Sequence, residues 1–330
     1  MERIIKKDPL SKKEIKKIID FPKIKLIHTS TPIEILEDKK IFSNLKIFFK
    51  DENQINYNTS GTELRKLEYI LGDINKKEYL DIIYLSNNNV NMSATLSSLC
   101  SKHNLKIEII ETSCDLDDSN YIISKLYGAK IHKSPEEYAK KLINKIIRDK
   151  QKDLTKTYVL NEQSIFNIAG ILAYINYGIE IEEQVEKLGL KTPNFWSAED
   201  DTILGLYLYA QLRKLRWNFT YISSSIKYKD IKIKILSALK HLKTDLDFDL
   251  SKINIIKEYK AKRLKEKYKK ILILFANTKG LLLDMNSSVK SMFYLMEKIK
   301  NNQIEKNEEI VFINSGNFIE IFSDKDILLK

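Results

Sequence analysis

The densest run of side chains able to do chemistry is Glu199-Asp200-Asp201, followed by Thr202. Closely grouped carboxylates shift one another's titration and can do acid–base work, hold a hard cation or receive an amine. The same acids also suit the first turn of the helical pattern that follows them. No histidine or cysteine joins them. His28, His103, His132 and His241 are far apart without metal-ligand spacing, and Cys100 and Cys114 are the two cysteines. Two cysteines in so long a chain make no disulfide framework.

These groups sit in a chain of 330 residues, 43% hydrophobic and 31% charged. That length can bury a sizeable core as one large domain or two interlocked ones. No apolar run reaches the roughly 18 residues of a membrane helix, and the N-terminus has no apolar signal region, so a cytoplasmic protein is expected. The net charge is +11. Nearly all the basic residues are Lys; Arg3, Arg65, Arg148, Arg213, Arg216 and Arg263 are the arginines. Nucleic-acid readers favour the bidentate Arg fork, and no binding motif accompanies the charge. The balance is read as a Lys-biased solvated surface, not a nucleic-acid or membrane partner.

Strand-like and helix-like segments alternate from about residue 60. LDIIYLS (80–86), KIEIIE (106–111), TYVL (157–160), NFWSA (194–198), NFTYISSS (218–225) and EIVFIN (309–314) read as strands. MSATLSSLCSKHN, DDSNYIISKLYG, the segment from Phe166 to Gly189 and DDTILGLYLYAQLRKLR have helical periodicity. In SPEEYAKKLINKIIRDK, Ser134 is placed as N-cap, Pro135 at the first helical position and Glu137 in a capping box. The Lys-rich stretch from Ile255 to Lys270 is expected to be one solvated helix with i,i+4 Glu–Lys pairs. Strands separated by helices predict an α/β fold with mostly parallel sheets. No linker marks a boundary, which favours an inserted second domain over a tandem one.

Ordered landmarks run along the chain. Phe21-Pro22 and Thr31-Pro32-Ile33-Glu34 come first, then Phe49-Lys50-Asp51-Glu52 and Ser60-Gly61-Thr62-Glu63-Leu64-Arg65-Lys66-Leu67-Glu68-Tyr69. Val90-Asn91, then Asn120 with Leu126-Tyr127-Gly128-Ala129, and the stretch from Tyr158 to Gln184 follow. Thr202 to Leu206, Thr278-Lys279-Gly280 with Leu283-Asp284, and Phe312-Ile313-Asn314-Ser315-Gly316 complete the set. In this order they resemble the D-cysteine desulfhydrase and 1-aminocyclopropane-1-carboxylate deaminase family, RKLEY being the most specific short match. The resemblance implies a tryptophan synthase β-like fold, that of fold type II pyridoxal-phosphate enzymes, with two three-layer αβα domains. A large domain would come from residues 1–54 and 156–330, and a smaller one, 55–155, would be inserted. It also implies a homodimer with pyridoxal phosphate between the domains.

The positions that carry the family's chemistry have changed. Glu63 stands where the family has the lysine that condenses with the cofactor aldehyde, and a carboxylate cannot form an imine. Lys66 matches a second family lysine, and its site is displaced by about 4.5 Å along a helix. Ala198-Glu199-Asp200-Asp201-Thr202 replaces the small neutral GSGGT loop that holds the phosphate. Val90 stands in place of a serine before Asn91, Ser287 in place of a tyrosine, and Glu162-Gln163-Ser164-Ile165 in place of GGSN. Lys279 replaces a glutamate and Asn317 the last glycine after Ser315, while Ser288 keeps a hydroxyl suited to a pyridine nitrogen.

The expectation is a degenerate member without pyridoxal phosphate. It would act as a non-catalytic subunit, in a homodimer or beside a related chain, or as a repurposed small-molecule-binding protein with its ligand in the interdomain cleft. The alternatives are a divergent pyridoxal-phosphate lyase or deaminase of a small amino acid, and new chemistry or metal binding by Glu63 with the 199–201 acids.

Overall fold

β-Branched and aromatic runs become buried strands, and the amphipathic stretches between them become helices. The computed structural model describes every residue except 1–3, 6–7, 56, 58–59, 87–89, 113–118, 153–155, 162–167, 224–227, 259–261, 286, 317–320 and 322–330. In chain order the first elements are β1 (Ile4–Ile5), α1 (Lys12–Ile18), β2 (Ile33–Glu37), α2 (Lys39–Phe42), β3 (Lys46–Asp51) and α3 (Glu63–Lys76). Next come β4 (Asp81–Ser86), α4 (Val90–Lys102), β5 (Lys106–Glu111), α5 (Ser119–Leu126), β6 (Lys130–Lys133), α6 (Glu136–Lys152) and β7 (Thr157–Asn161). The chain continues through α7 (Ala169–Lys187), β8 (Asn194–Ser197), α8 (Asp200–Arg213), β9 (Asn218–Ser223), α9 (Tyr228–His241) and β10 (Thr244–Asp245). It ends with β11 (Ile253–Lys257), α10 (Lys262–Lys279), α11 (Ser288–Lys300) and β12 (Ile310–Asn314).

These elements form two compact units, one of residues 1–20, 27–56 and 168–318, the other of 21–26, 57–167 and 319–330. The first contains a six-stranded sheet in the order β11-β9-β8-β12-β3-β2. All its pairings are parallel except β2 with β3. Every residue of β12 is buried, as a central strand covered on both faces requires. The second unit holds a parallel sheet in the order β6-β5-β4-β7. β7 pairs with β4 there, so the division falls near residue 168 and not before the strand at 157, where it was expected.

In the first unit α7 and α8 meet through reciprocal glycines. A Cβ on Gly178 would lie 2.2 Å from the Tyr209 ring, and one on Gly205 would lie 2.3 Å from Tyr174 Cβ. Arg213 clamps the far end of this pair, with Nη2 and Nε donating to Glu182 at 2.7 and 3.1 Å. In the second unit Gly72 lets Pro22 approach; an added Cβ would meet the Pro22 carbonyl oxygen at 2.3 Å. The Leu26 amide donates to Glu68 at 2.8 Å, and Lys23 pairs with the same carboxylate at 2.8 Å. RKLEY therefore meets the segment that follows Phe21-Pro22.

Two local expectations are corrected. Residues 255–257 are not helical but form the end of β11 against β9, because Ile253, Ile255 and Ile256 supply a β-branched edge; the helix begins at Lys262. Glu258 pairs with Lys290 at 3.4 Å. The Ser134 hydroxyl donates to the Pro135 carbonyl at 3.2 Å in place of capping α6.

Candidate functional site

Parallel strands β8, β9, β11, β12 and β3 end on one edge of the six-stranded sheet, the edge where open α/β sheets carry ligands. Five of the sequence-predicted positions outside the second unit, Glu199, Asp200, Asp201, Thr202 and Ser315, lie on the segments that leave it. After β8 the chain enters α8, with Glu199 as N-cap but without a side-chain cap bond. The Glu199 amide donates to Ser197 Oγ at 3.0 Å, and the Asp201 amide to Asp200 Oδ1 at 2.9 Å. Lys234 of α9 bonds Asp200 and lies 3.7 Å from Asp201. The Thr202 hydroxyl beside them is buried without a hydrogen-bond partner. Burial drives the Tyr221 hydroxyl upward in pKa, and Asp200, Glu199 and Asp201 add to the rise, so the loop's negative field reaches β9.

After β12 the chain reaches Ser315, which meets the start of α11. Asp284 is buried and accepts from the Ser287 amide at 2.7 Å, the Ser288 amide at 3.1 Å and Ser315 Oγ at 2.7 Å. Ser287 Oγ also donates to Asp284 at 2.8 Å and bonds Ser315 Oγ. Ser288 Oγ accepts from the Ser315 amide at 3.0 Å. The hydroxyl expected to meet a pyridine nitrogen is thus engaged within the protein.

Sequence reasoning named Lys50, Asp51 and Glu52 only as landmarks, yet they form a buried polar network at the end of β3. Lys50 Nζ bonds the Thr31 carbonyl, Glu180 at 2.6 Å and Gln184 at 2.8 Å, and sits 5.4 Å from the Tyr177 ring. Glu52 accepts from Thr31 Oγ1 at 2.6 Å and Tyr177 Oη at 2.9 Å. Asn314 donates to Asp51 at 2.7 Å, and burial raises the Asp51 carboxyl. The signal was available in the Tyr, Glu and Gln at 177, 180 and 184, one face of a helix at 3.6-residue periodicity.

In the second unit, Glu63 and Lys66 lie in the first turn of α3 as an ion pair with N···O 2.9 Å, their side chains 10% and 13% exposed. Val90 and Asn91 open α4; their side chains lie outside the described residues, as do residues 162–165 and Asn317. Among the described residues no three His, Cys, Asp or Glu side chains converge as a metal ion would need. The Cys100 thiol is buried and pushed up to about 12. Among the described residues no helix is long and apolar enough to cross a membrane.

No protein-family model matches the chain. It is 24% identical over 321 residues to a candidate 1-aminocyclopropane-1-carboxylate deaminase of Pyrococcus abyssi, covering 94% of this chain and 96% of that one. It is 22% identical over 332 residues to the D-cysteine desulfhydrase of Serratia proteamaculans, covering 93% and 97%. The crystal structure of an ACC deaminase homologue superposes with a TM-score of 0.82 at 20% identity, over 96% of this chain and 98% of that one. The fold is that of fold type II pyridoxal-phosphate enzymes.

Proposed function

We propose that this homologue of 1-aminocyclopropane-1-carboxylate deaminases and D-cysteine desulfhydrases keeps their fold without their cofactor chemistry. It acts as a non-catalytic, binding homologue, paired with itself or with a related chain in the cytoplasm. The observation that carries this reading is the Glu63–Lys66 pair. Glu63 occupies the matched lysine position and offers no amine. Lys66, one helical turn on, has its Nζ 2.9 Å from the Glu63 carboxylate, in an ion pair. Only a free amine condenses with an aldehyde.

The residues at the matched phosphate position do not fit the group either. Glu199, Asp200 and Asp201 bring three carboxylates to this position, with Lys234 bonded to Asp200 and 3.7 Å from Asp201. Like charges about 4 Å apart repel by roughly 4 kcal/mol at an effective dielectric near 20. Side chains at 198–201 also keep a phosphate from the backbone amides that glycines would expose.

A second reading, a divergent pyridoxal-phosphate lyase or deaminase of a small amino acid, is favoured by the unpartnered Thr202 hydroxyl at the start of α8. One experiment separates the two. The purified chain is titrated with pyridoxal phosphate, its visible spectrum is recorded, and borohydride is added before peptide mapping. The expected result is no protein-bound visible band and no reduced adduct on a specific lysine. A stoichiometric adduct on Lys66 would overturn the proposal and establish the second reading.

A further inference from the structure

A separate cavity of about 250 Å³ opens in the first unit, between α1, the C-terminal end of α8 and β10. Its walls are made by the local folding of the N-terminal segment. The Leu10 amide donates to the Leu212 carbonyl at 2.9 Å, and Arg213 Nη1 donates to the Leu10 carbonyl at 2.7 Å. Ser11 then starts α1 with a capping box to Glu14. These contacts hold α1 beside the end of α8 and leave a hollow among the described residues.

The lining has two parts. Leu10, Ile18, Leu212 and Leu246 give an apolar floor. Around them stand charges of both signs, Lys17 and Lys214 against Asp8, Glu14 and Asp245, with Glu14 Oε2 taken by the Ser11 amide and hydroxyl. The volume lies just below the roughly 300–1,000 Å³ of drug-sized sites. An apolar floor accepts a hydrocarbon side chain of a few carbons. A simple anion would face the carboxylates and a simple cation the ammonium groups, whereas a molecule carrying both charges can place each beside its opposite.

From this match we propose that the cavity binds a free α-amino acid with an apolar side chain. The aliphatic part lies on Leu212 and Ile18, the carboxylate toward Lys17 and Lys214, and the ammonium toward Asp8 and Asp245. The site lies at the end of α8 away from Glu199–Asp201, and it does not depend on whether the chain uses pyridoxal phosphate.

The test is calorimetric titration of the full-length chain, with melting curves alongside, using L-leucine, glycine, 4-methylpentanoate and 3-methylbutylamine. Leucine is expected to bind and raise the melting temperature. Each of the other three, lacking the side chain, the ammonium or the carboxylate, is expected to bind at least about tenfold more weakly. Lys214→Gly removes one ammonium while suiting the left-handed backbone at φ 54, and Ile18→Trp fills the floor; each should weaken leucine about tenfold without lowering the melting temperature of the free protein appreciably. Absence of leucine binding at tens of millimolar, equal binding of leucine and 4-methylpentanoate or 3-methylbutylamine, or unchanged affinity in both variants would each overturn the proposal.

Discussion

Two polar clusters at the carboxyl edge of the same sheet are built on opposite principles. At the end of β3, Lys50 is fully buried and meets Glu180, Gln184 and the Thr31 carbonyl, while the Tyr177 ring lies beside it. At the start of α8, Asp200 and Asp201 are 27% and 21% exposed and share Lys234 from one neighbouring helix. The first cluster ties β3, the segment before β2, and α7 together; its charge is enclosed and its donors are spent on protein acceptors. The second joins α8 to α9 through Lys234, keeps two partly exposed carboxylates and leaves the Thr202 hydroxyl without a hydrogen-bond partner. Lys50, Asp51 and Glu52 are among the landmarks of the resemblance, whereas Glu199, Asp200 and Asp201 are among the positions that depart from it.

That contrast is most sharply broken at Lys50. Lys50→Met keeps the stem and removes the ammonium, so Glu180 and Gln184 lose its hydrogen bonds, while the Thr31 carbonyl keeps the bond from Gln184 Nε2 at 2.7 Å. Breaking a buried pair from one side costs about 3–5 kcal/mol. The Glu180 side chain is 18% exposed, so the low end of that range is expected, about 3 kcal/mol, by urea denaturation. A loss under about 1 kcal/mol would place this cluster in the same class as surface pairs and remove the distinction drawn here.

The next effect is in pH. Burial raises the Glu182 carboxyl, but hydrogen bonds from Arg213 and Tyr209 outweigh it and hold it below its ordinary 4.5. In Glu108 the bonds from Lys150 and His132 likewise outweigh burial. A carboxyl lowered in the folded state contributes stability above its unfolded value and loses it as pH falls through the folded one. Stability should therefore hold above about pH 5 and fall with acid below 4.5. Asp51, raised by burial, works in the opposite sense and blunts the fall. Glu182→Gln should lower stability at neutral pH by about 2 kcal/mol, as loss of charged hydrogen bonds does, and flatten the acid limb. An acid limb of unchanged slope in that variant would show that Arg213 finds equal support elsewhere.

Much of the fold was legible because its signals are local. β4, β5, β8 and β12 follow apolar runs, and α8 begins at its acids. The sequence misled where two signals compete. At 255–257 the lysine density looked helical, but the neighbouring strand β9 offered a free edge that isoleucines fill better. At Ser134 a capping pattern was present, yet the serine amide is taken by the Glu111 carbonyl, which fixes the residue at the end of β5. The Lys50 network was read only as resemblance, since nothing in a window around residue 50 announces Glu180, 130 positions away. Asp284 was a landmark too, and its role as common acceptor for Ser287, Ser288 and Ser315 needed the return of β12. The cavity at α1 gave no sequence signal, because its walls come from three distant segments.

The smallest expected effect lies at α8, and it completes the contrast. Lys234 and Asp200 are each about a quarter exposed, so water screens their attraction and side-chain entropy opposes it. Lys234→Met should cost only about 0.2–1 kcal/mol, less in high salt. Asp200→Asn should cost even less, since it also relieves repulsion from Glu199 and Asp201, while the Asn side-chain oxygen can still accept from the Asp201 amide. If Asp200→Asn instead destabilised the chain as much as Lys50→Met does, the α8 acids would be part of the framework, and their departure from the family pattern would be a change in how the fold is held, not in what it binds.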